Sequence, residues 1–78
     1  MRSVINIGYE NYIITDRIIG IVDIDSAPIK RMIKELKRDN RVIDATKGHK
    51  SLSVIFTQAN QIYLSAVQAS TLIKRMDN

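Results

Sequence analysis

The chain contains no cysteine, which removes disulfides, thiol catalysis and cysteine-based metal sites. Glycine is scarce, with three residues, so no Gly-rich phosphate loop of useful length exists. His49 is the one histidine. It sits beside Gly48 with no acid close in sequence to orient it, although Asp44 could approach; a catalytic base of the usual kind needs such a partner. Asp16, Asp23, Asp25 and Asp44 are scattered and form no metal-ligand cluster. The aromatic residues are Tyr9, Tyr12, Phe56 and Tyr63, which leaves few platforms on which unpaired bases could stack. No apolar run approaches the ~18 residues of a membrane span. Met1-Arg2-Ser3-Val4 opens directly into a strand pattern, without the apolar region and cleavage site of a signal peptide. The expectation is a soluble cytoplasmic protein that is not an enzyme, needs no cofactor or metal, and shows no sign of a small-molecule substrate.

What the chain does have is aliphatic surface and positive charge. Its 78 residues form one expected domain, 1–78, and 45% of them are hydrophobic, with many Ile and Val. A chain this short buries only about 60% of its surface as a monomer, so association is a natural outlet for the excess. Lys and Arg number 12 against 8 Asp and Glu, a net charge of +4. That moderate excess suits a polyanion only if the bases cluster on one face or are repeated by oligomer symmetry.

The clearest clustering lies in residues 26–40. Ser26 is a good N-cap, and Pro28 is tolerated in a first turn. On a helical wheel Ile29, Met32, Ile33 and Leu36 fall within an arc of about 100°. Lys30, Arg31, Lys34, Lys37 and Arg38 occupy a separate arc of about 120°. Only Glu35 interrupts the basic face, at a spacing that could pair it with Arg31 or Arg38. The pattern predicts a helix that docks one oily stripe and turns a cationic face to water, suited to nucleic acid or simply solvated.

Elsewhere the residues read as strands. Residues 4–7 and 12–15 flank a turn at Gly8-Tyr9-Glu10-Asn11. Residues 17–22 continue as a strand or as part of one bent strand, with Gly20 suggesting a bulge or a close backbone approach. Asp23 and Asp25 look like turn and cap residues. Further strands are expected at 42–46, 52–56 and 62–67, with a short hairpin loop at Gln58-Ala59-Asn60. Leu52, Val54 and Phe56 alternate with Ser51, Ser53 and Thr57, which predicts a sheet with one wet face. A short last helix covers 70–76. The expected fold is α+β: a small, mainly antiparallel sheet, one long basic helix and a short C-terminal helix.

Two further features bear on binding. Lys47-Gly48-His49-Lys50 is a basic loop whose glycine lets backbone N–H groups approach an anion, and it equally fits an ordinary exposed loop. Arg17 heads an apolar run, either as a rim residue paired with Asp16 or Asp44 or as a base aimed at a ligand.

Four segments occur in order: Ile5-Asn6-Ile7-Gly8-Tyr9, Ser26-Ala27-Pro28-Ile29-Lys30-Arg31-Met32-Ile33, Ile43-Asp44-Ala45-Thr46 with its following basic loop, and Leu64-Ser65-Ala66-Val67-Gln68. Together they resemble the RemA family of extracellular matrix regulatory proteins, over nearly the whole chain. The resemblance implies a bacterial transcriptional regulator of biofilm-matrix genes that binds duplex DNA and assembles into a ring-shaped homo-oligomer. It implies DNA contacts from Arg17 and from His49 and Lys50, to which the residues themselves add Lys47, Lys30, Arg31 and Lys34. At His49-Lys50 the family typically has two arginines, and Lys cannot make Arg's bidentate phosphate contact. Glu10 stands where a glycine is usual, and Gln68-Ala69-Ser70-Thr71 replaces a Gln-Pro-Glu-Thr pattern. An RNA-binding ring, or a structural or ligand-sensing oligomer that binds no nucleic acid, are the alternatives.

Overall fold

The computed structural model describes residues 3–77. Met1, Arg2 and Asn78 lie outside it, so the reading of Met1 and Arg2 as leading into the first strand is not addressed. Strands β1 (Val4–Asn6) and β2 (Tyr12–Ile14) form an antiparallel hairpin. A 3-10 turn, Thr15–Arg17, leads into β3 (Ile18–Asp23), α1 (Ala27–Arg38), β4 (Val42–Asp44), β5 (Ser53–Thr57), β6 (Ile62–Ser65) and α2 (Ala69–Met76). Strands β3, β5, β6 and β4 form a second sheet in that order. The expected single sheet is thus two sheets, and the suspected bent strand is two strands in different sheets. Pairing is antiparallel except between β4 and β6, which run parallel because α1 carries the chain away before β4 returns. The predicted strands at 42–46 and 62–67 end early, at Asp44 and Ser65, where turns begin.

The long helix forms as its residues direct. The Ser26 hydroxyl accepts from the backbone N–H of Ile29, and Pro28 occupies the first turn. At the other end Asn40 adopts φ 57°; the N–H of Asn40 donates to Lys37 and that of Arg41 to Leu36, closing a Schellman cap. Asp23 accepts from the N–H of Asp25, the turn role expected of it. Of the oily stripe, Ile33 is buried, Ile29 and Leu36 are half-buried, and Met32 stays exposed.

The sheet lies between two covering layers. Ile33, with Ile29 and Leu36, packs on Val54, Ile62 and Leu64. On the opposite face Ile5, Ile7 and Ile13 of the hairpin segment and Leu72 of α2 pack with Ile55 and Ala45. The expected wet face of β5 is therefore dry. Val54 and Ile55 point to opposite sides and both are fully buried. Ser53, Thr57 and Ser65 are buried too, and hydrogen bonds make that tolerable. Ser53 donates to the Val67 carbonyl at 2.7 Å and Thr57 to the Gln61 carbonyl at 2.8 Å. Ser65 donates to the Ile7 carbonyl at 2.7 Å and accepts from the Val67 N–H at 3.0 Å. Alternating serines marked hydroxyls spent on tying layers together, not a solvated face.

The bulge falls at Ile19, one residue before Gly20, where the β3–β5 register shifts. A Cβ at Gly20 would meet Phe56 at an ordinary 3.8 Å, so no close approach demands that glycine. Ile19 is left 67% exposed on an outer strand of the sheet. Among the described residues no helix is long and apolar enough to cross a membrane.

Ser65→Ala strands the Ile7 carbonyl and the Val67 N–H in a dry layer. It should cost about 1–3 kcal/mol, read as a lower midpoint in urea unfolding. Glu10 carries the opposite opportunity. The first turn holds Tyr9 at φ 52° and Glu10 at φ 62°, closed by the Asn11 N–H on the Gly8 carbonyl. Glu10→Gly relieves left-handed strain and adds some unfolded-state freedom, for a net gain of roughly 0.5 kcal/mol. The thermal midpoint should rise by about 2–4 °C.

Candidate nucleic-acid interface

One end of the sheet gathers the loop of residues 47–50, the first-hairpin turn, the start of α1 and the start of α2. The loop is anchored by Asp44, whose Oδ1 accepts from the Thr46 N–H at 2.8 Å and the Thr46 hydroxyl at 2.6 Å. Thr46 is buried, and its carbonyl accepts from the N–H of His49 at 3.0 Å. Lys47 and Gly48 take φ 54° and 84° between them, so the chain reverses tightly. A Cβ at Gly48 would meet nothing within 4 Å, which makes backbone angle, not space, the reason for that glycine. The loop leaves Lys47, His49 and Lys50 exposed.

The Thr46 hydroxyl, then its N–H, then the charge of Lys37 hold the Asp44 carboxyl below its ordinary value; partial desolvation opposes them. That carboxylate is committed to the turn, so it does not orient His49. Instead the His49 Nδ1 lies 3.2 Å from the Thr46 carbonyl oxygen. Its ring stacks on Tyr9, with centroids 4.9 Å apart and planes 16° from parallel. This stack joins residues forty positions apart.

Lys50 shares a cleft of about 500 Å³ with Lys30, Ser70 and Gln68, along with Asp23 and Asp25. Lys30 and Asp25 make a loose, exposed ion pair at 4.0 Å, of a kind that adds little stability. The structure thus brings Lys30 to the loop bases. Arg31 and Lys34 are exposed on α1. Glu35 forms no ion pair with Arg31 or Arg38 among the described residues, so it does not blunt that face directly.

Arg17 is placed elsewhere. It ends the 3-10 turn, and its carbonyl accepts from the N–H of Gln58, at the far end of β5. The six residue-to-residue steps from Leu52 to Gln58 span roughly 20 Å of strand, so Arg17 and Lys50 do not adjoin within one chain. Arg17 is exposed and, among the described residues, pairs with neither Asp16 nor Asp44. Sequence reasoning missed Tyr9 and Thr46 as organisers of the loop. Asp44-x-Thr46 before a glycine was a readable turn signal; the Tyr9 stack had none.

The geometry defines a small α+β module that presents at this end the exposed bases Lys30, Lys47 and Lys50 beside the exposed acids Asp23, Asp25 and Asp44. Residues 4–76 match the model of the RemA-like family, extracellular matrix regulatory protein A-like, and the chain belongs to that family. A relative from Thermotoga maritima is 47% identical over 79 residues, covering 100% of this chain and 86% of its own. One from Fervidobacterium nodosum is 45% identical over 75 residues, covering 96% and 81%. One from Nitratidesulfovibrio vulgaris is 36% identical over 74 residues, covering 95% and 84%. All three carry names that point to a regulatory role, and regulation is the role that the family's description supports.

The loop anchor generates a pH dependence. The Asp44 carboxyl has a folded pKa below its unfolded one. Its stabilisation is complete above the unfolded value, about 3.9, and is lost as pH falls through the lower folded value. Thermal midpoints followed down through about pH 4 should fall more steeply for the native chain than for Asp44→Asn, which keeps an acceptor but has no charge to lose.

Proposed function

We propose that this protein is a transcriptional regulator that binds duplex DNA chiefly through phosphate contacts, repeated around a homo-oligomeric ring. The observation that carries this is the anchored basic loop. Lys47, His49 and Lys50 project from a turn pinned by Asp44 and Tyr9, with Lys30 in the same cleft. Bases on a rigid support bind a polyanion at a smaller entropic cost than bases on a mobile tail. Arg31 and Lys34 extend this surface along α1, and Arg17 supplies a second contact point at the other end of the sheet. Contacts of this kind position DNA without reading its bases. The family's description, extracellular matrix regulatory protein A-like, supports extending the reading to control of biofilm-matrix genes; no feature of the site does.

Support for assembly comes from the sheet's margins. Strands β3 and β4 are its two outer strands. Ile19 on β3 lies between two shallow apolar grooves, one lined by Met32 and Leu36, the other by Ile73 and Met76. Ile43 on β4 is also exposed. Two different open edges favour head-to-tail contacts, which close into rings when the rotation permits. A modest +4 per subunit then becomes a periodic rail of charge.

Duplex affinity should fall with salt at a log–log slope of about −0.9 per phosphate neutralised. Arg17→Ala and Lys50→Ala should each weaken it while shifting stability by no more than about 0.5 kcal/mol. A gel shift titrated with salt against duplex, single-stranded DNA and RNA, with light scattering on each variant, reads all of this. A stable monomer would remove the ring, and preference for RNA would remove the DNA assignment. Unchanged affinity in Arg17→Ala with assembly intact would remove Arg17 from the contact set.

A further inference from the structure

We propose that His49 makes DNA binding by this loop proton-linked: the imidazole takes up a proton as a phosphate docks, so the protein grips DNA more tightly in mildly acidic than in mildly alkaline solution. The proposal rests on the duplex-DNA function above and concerns the regulation of that same surface.

The geometry singles out one ring nitrogen. A carbonyl oxygen only accepts, so the Nδ1 facing the Thr46 carbonyl at 3.2 Å carries its hydrogen. In the neutral ring that leaves Nε2 without one, and Nε2 is where a proton is gained. The ring does not need to move to gain it. The Tyr9 stack fixes one face and the Thr46 carbonyl fixes one edge, in either charge state. Tyr9 is a positioning residue here, since it acts through His49.

The ionisable groups around the ring are few. The first-hairpin turn brings Tyr9 and Glu10. The loop itself brings Lys47 and Lys50. Asp44, beneath the loop, is engaged by Thr46. Histidine is the side-chain type whose ordinary charge change falls between about pH 5 and 8. A neutral His49 is a weak acceptor facing a phosphate, whereas a protonated one is a charge-assisted donor. Since the phosphate favours the charged ring, the charged ring favours the phosphate by the same factor. Repetition around an assembly multiplies the effect by the number of His49 rings in contact.

The test measures fluorescence anisotropy of a labelled mixed-sequence duplex at fixed ionic strength, from about pH 5.5 to 8. For the native chain affinity should fall with rising pH, by up to about tenfold per pH unit for each His49 in contact. The salt slope should be steeper at the acidic end by about 0.9 per such contact. His49→Arg should bind tightly with no pH trend, and His49→Gln weakly with none. Because His49 is the chain's one histidine, imidazole NMR follows it without any substitution, and duplex DNA should move its titration midpoint upward. Strong binding that ignores pH, or a midpoint unmoved by DNA, overturns this proposal alone. Absence of duplex binding at every pH overturns it together with the DNA assignment.

Discussion

Strand β5 must be dry on both faces, and most of the architecture follows from satisfying that demand. Val54 and Ile55 are adjacent in sequence and fully buried on opposite sides of the sheet. A strand with one solvated face would need a single covering layer, but this one needs two. The stripe on α1 supplies the first. The hairpin and α2 supply the second, and neither is large enough to do so alone. The buried hydroxyls of Ser53 and Ser65 fasten this second layer by bonding to backbone that would otherwise lie unpaired in the core.

That covering layer also shapes the exposed site. Docking the hairpin on the sheet carries its tight turn to the end where the basic loop emerges, which places Tyr9 on His49. The loop is therefore held from two directions: from below by Asp44 through Thr46, and from the side by an aromatic ring of another layer. Charge is presented on short, anchored backbone, so little ordering remains to be done when an anion arrives. The two left-handed residues of the hairpin turn are strain that packing and hydrogen bonding hold in place.

Small size has a second consequence. Among the described residues, two helices and six short strands cover both faces of the four-stranded sheet but not its margins. Ile19, Met32, Ile73 and Met76 remain exposed along one side and Ile43 along the other. Cationic residues stand at both ends of the sheet, with Arg17 roughly 20 Å of strand from the loop bases.

Much of this was legible from residues alone, wherever the determinant was local. The helix from Ser26 to Asn40, with its cap, its proline and its docked stripe, follows from 3.6-residue periodicity and the chemistry of helix ends. The turns at Gly8-Tyr9-Glu10-Asn11 and at Gly48, and the α+β class itself, follow from equally short-range rules. Solvation was not legible, because alternation of Ser and Val along β5 reports two faces without saying what covers either. The split into two sheets, the parallel β4–β6 pair, the stack of Tyr9 on His49, the sharing of a cleft by Lys30 and Lys50, and the separation of Arg17 from both are long-range facts. They depend on which layers meet, and that is set by the burial of apolar area summed over the whole chain, a quantity no short window of sequence contains.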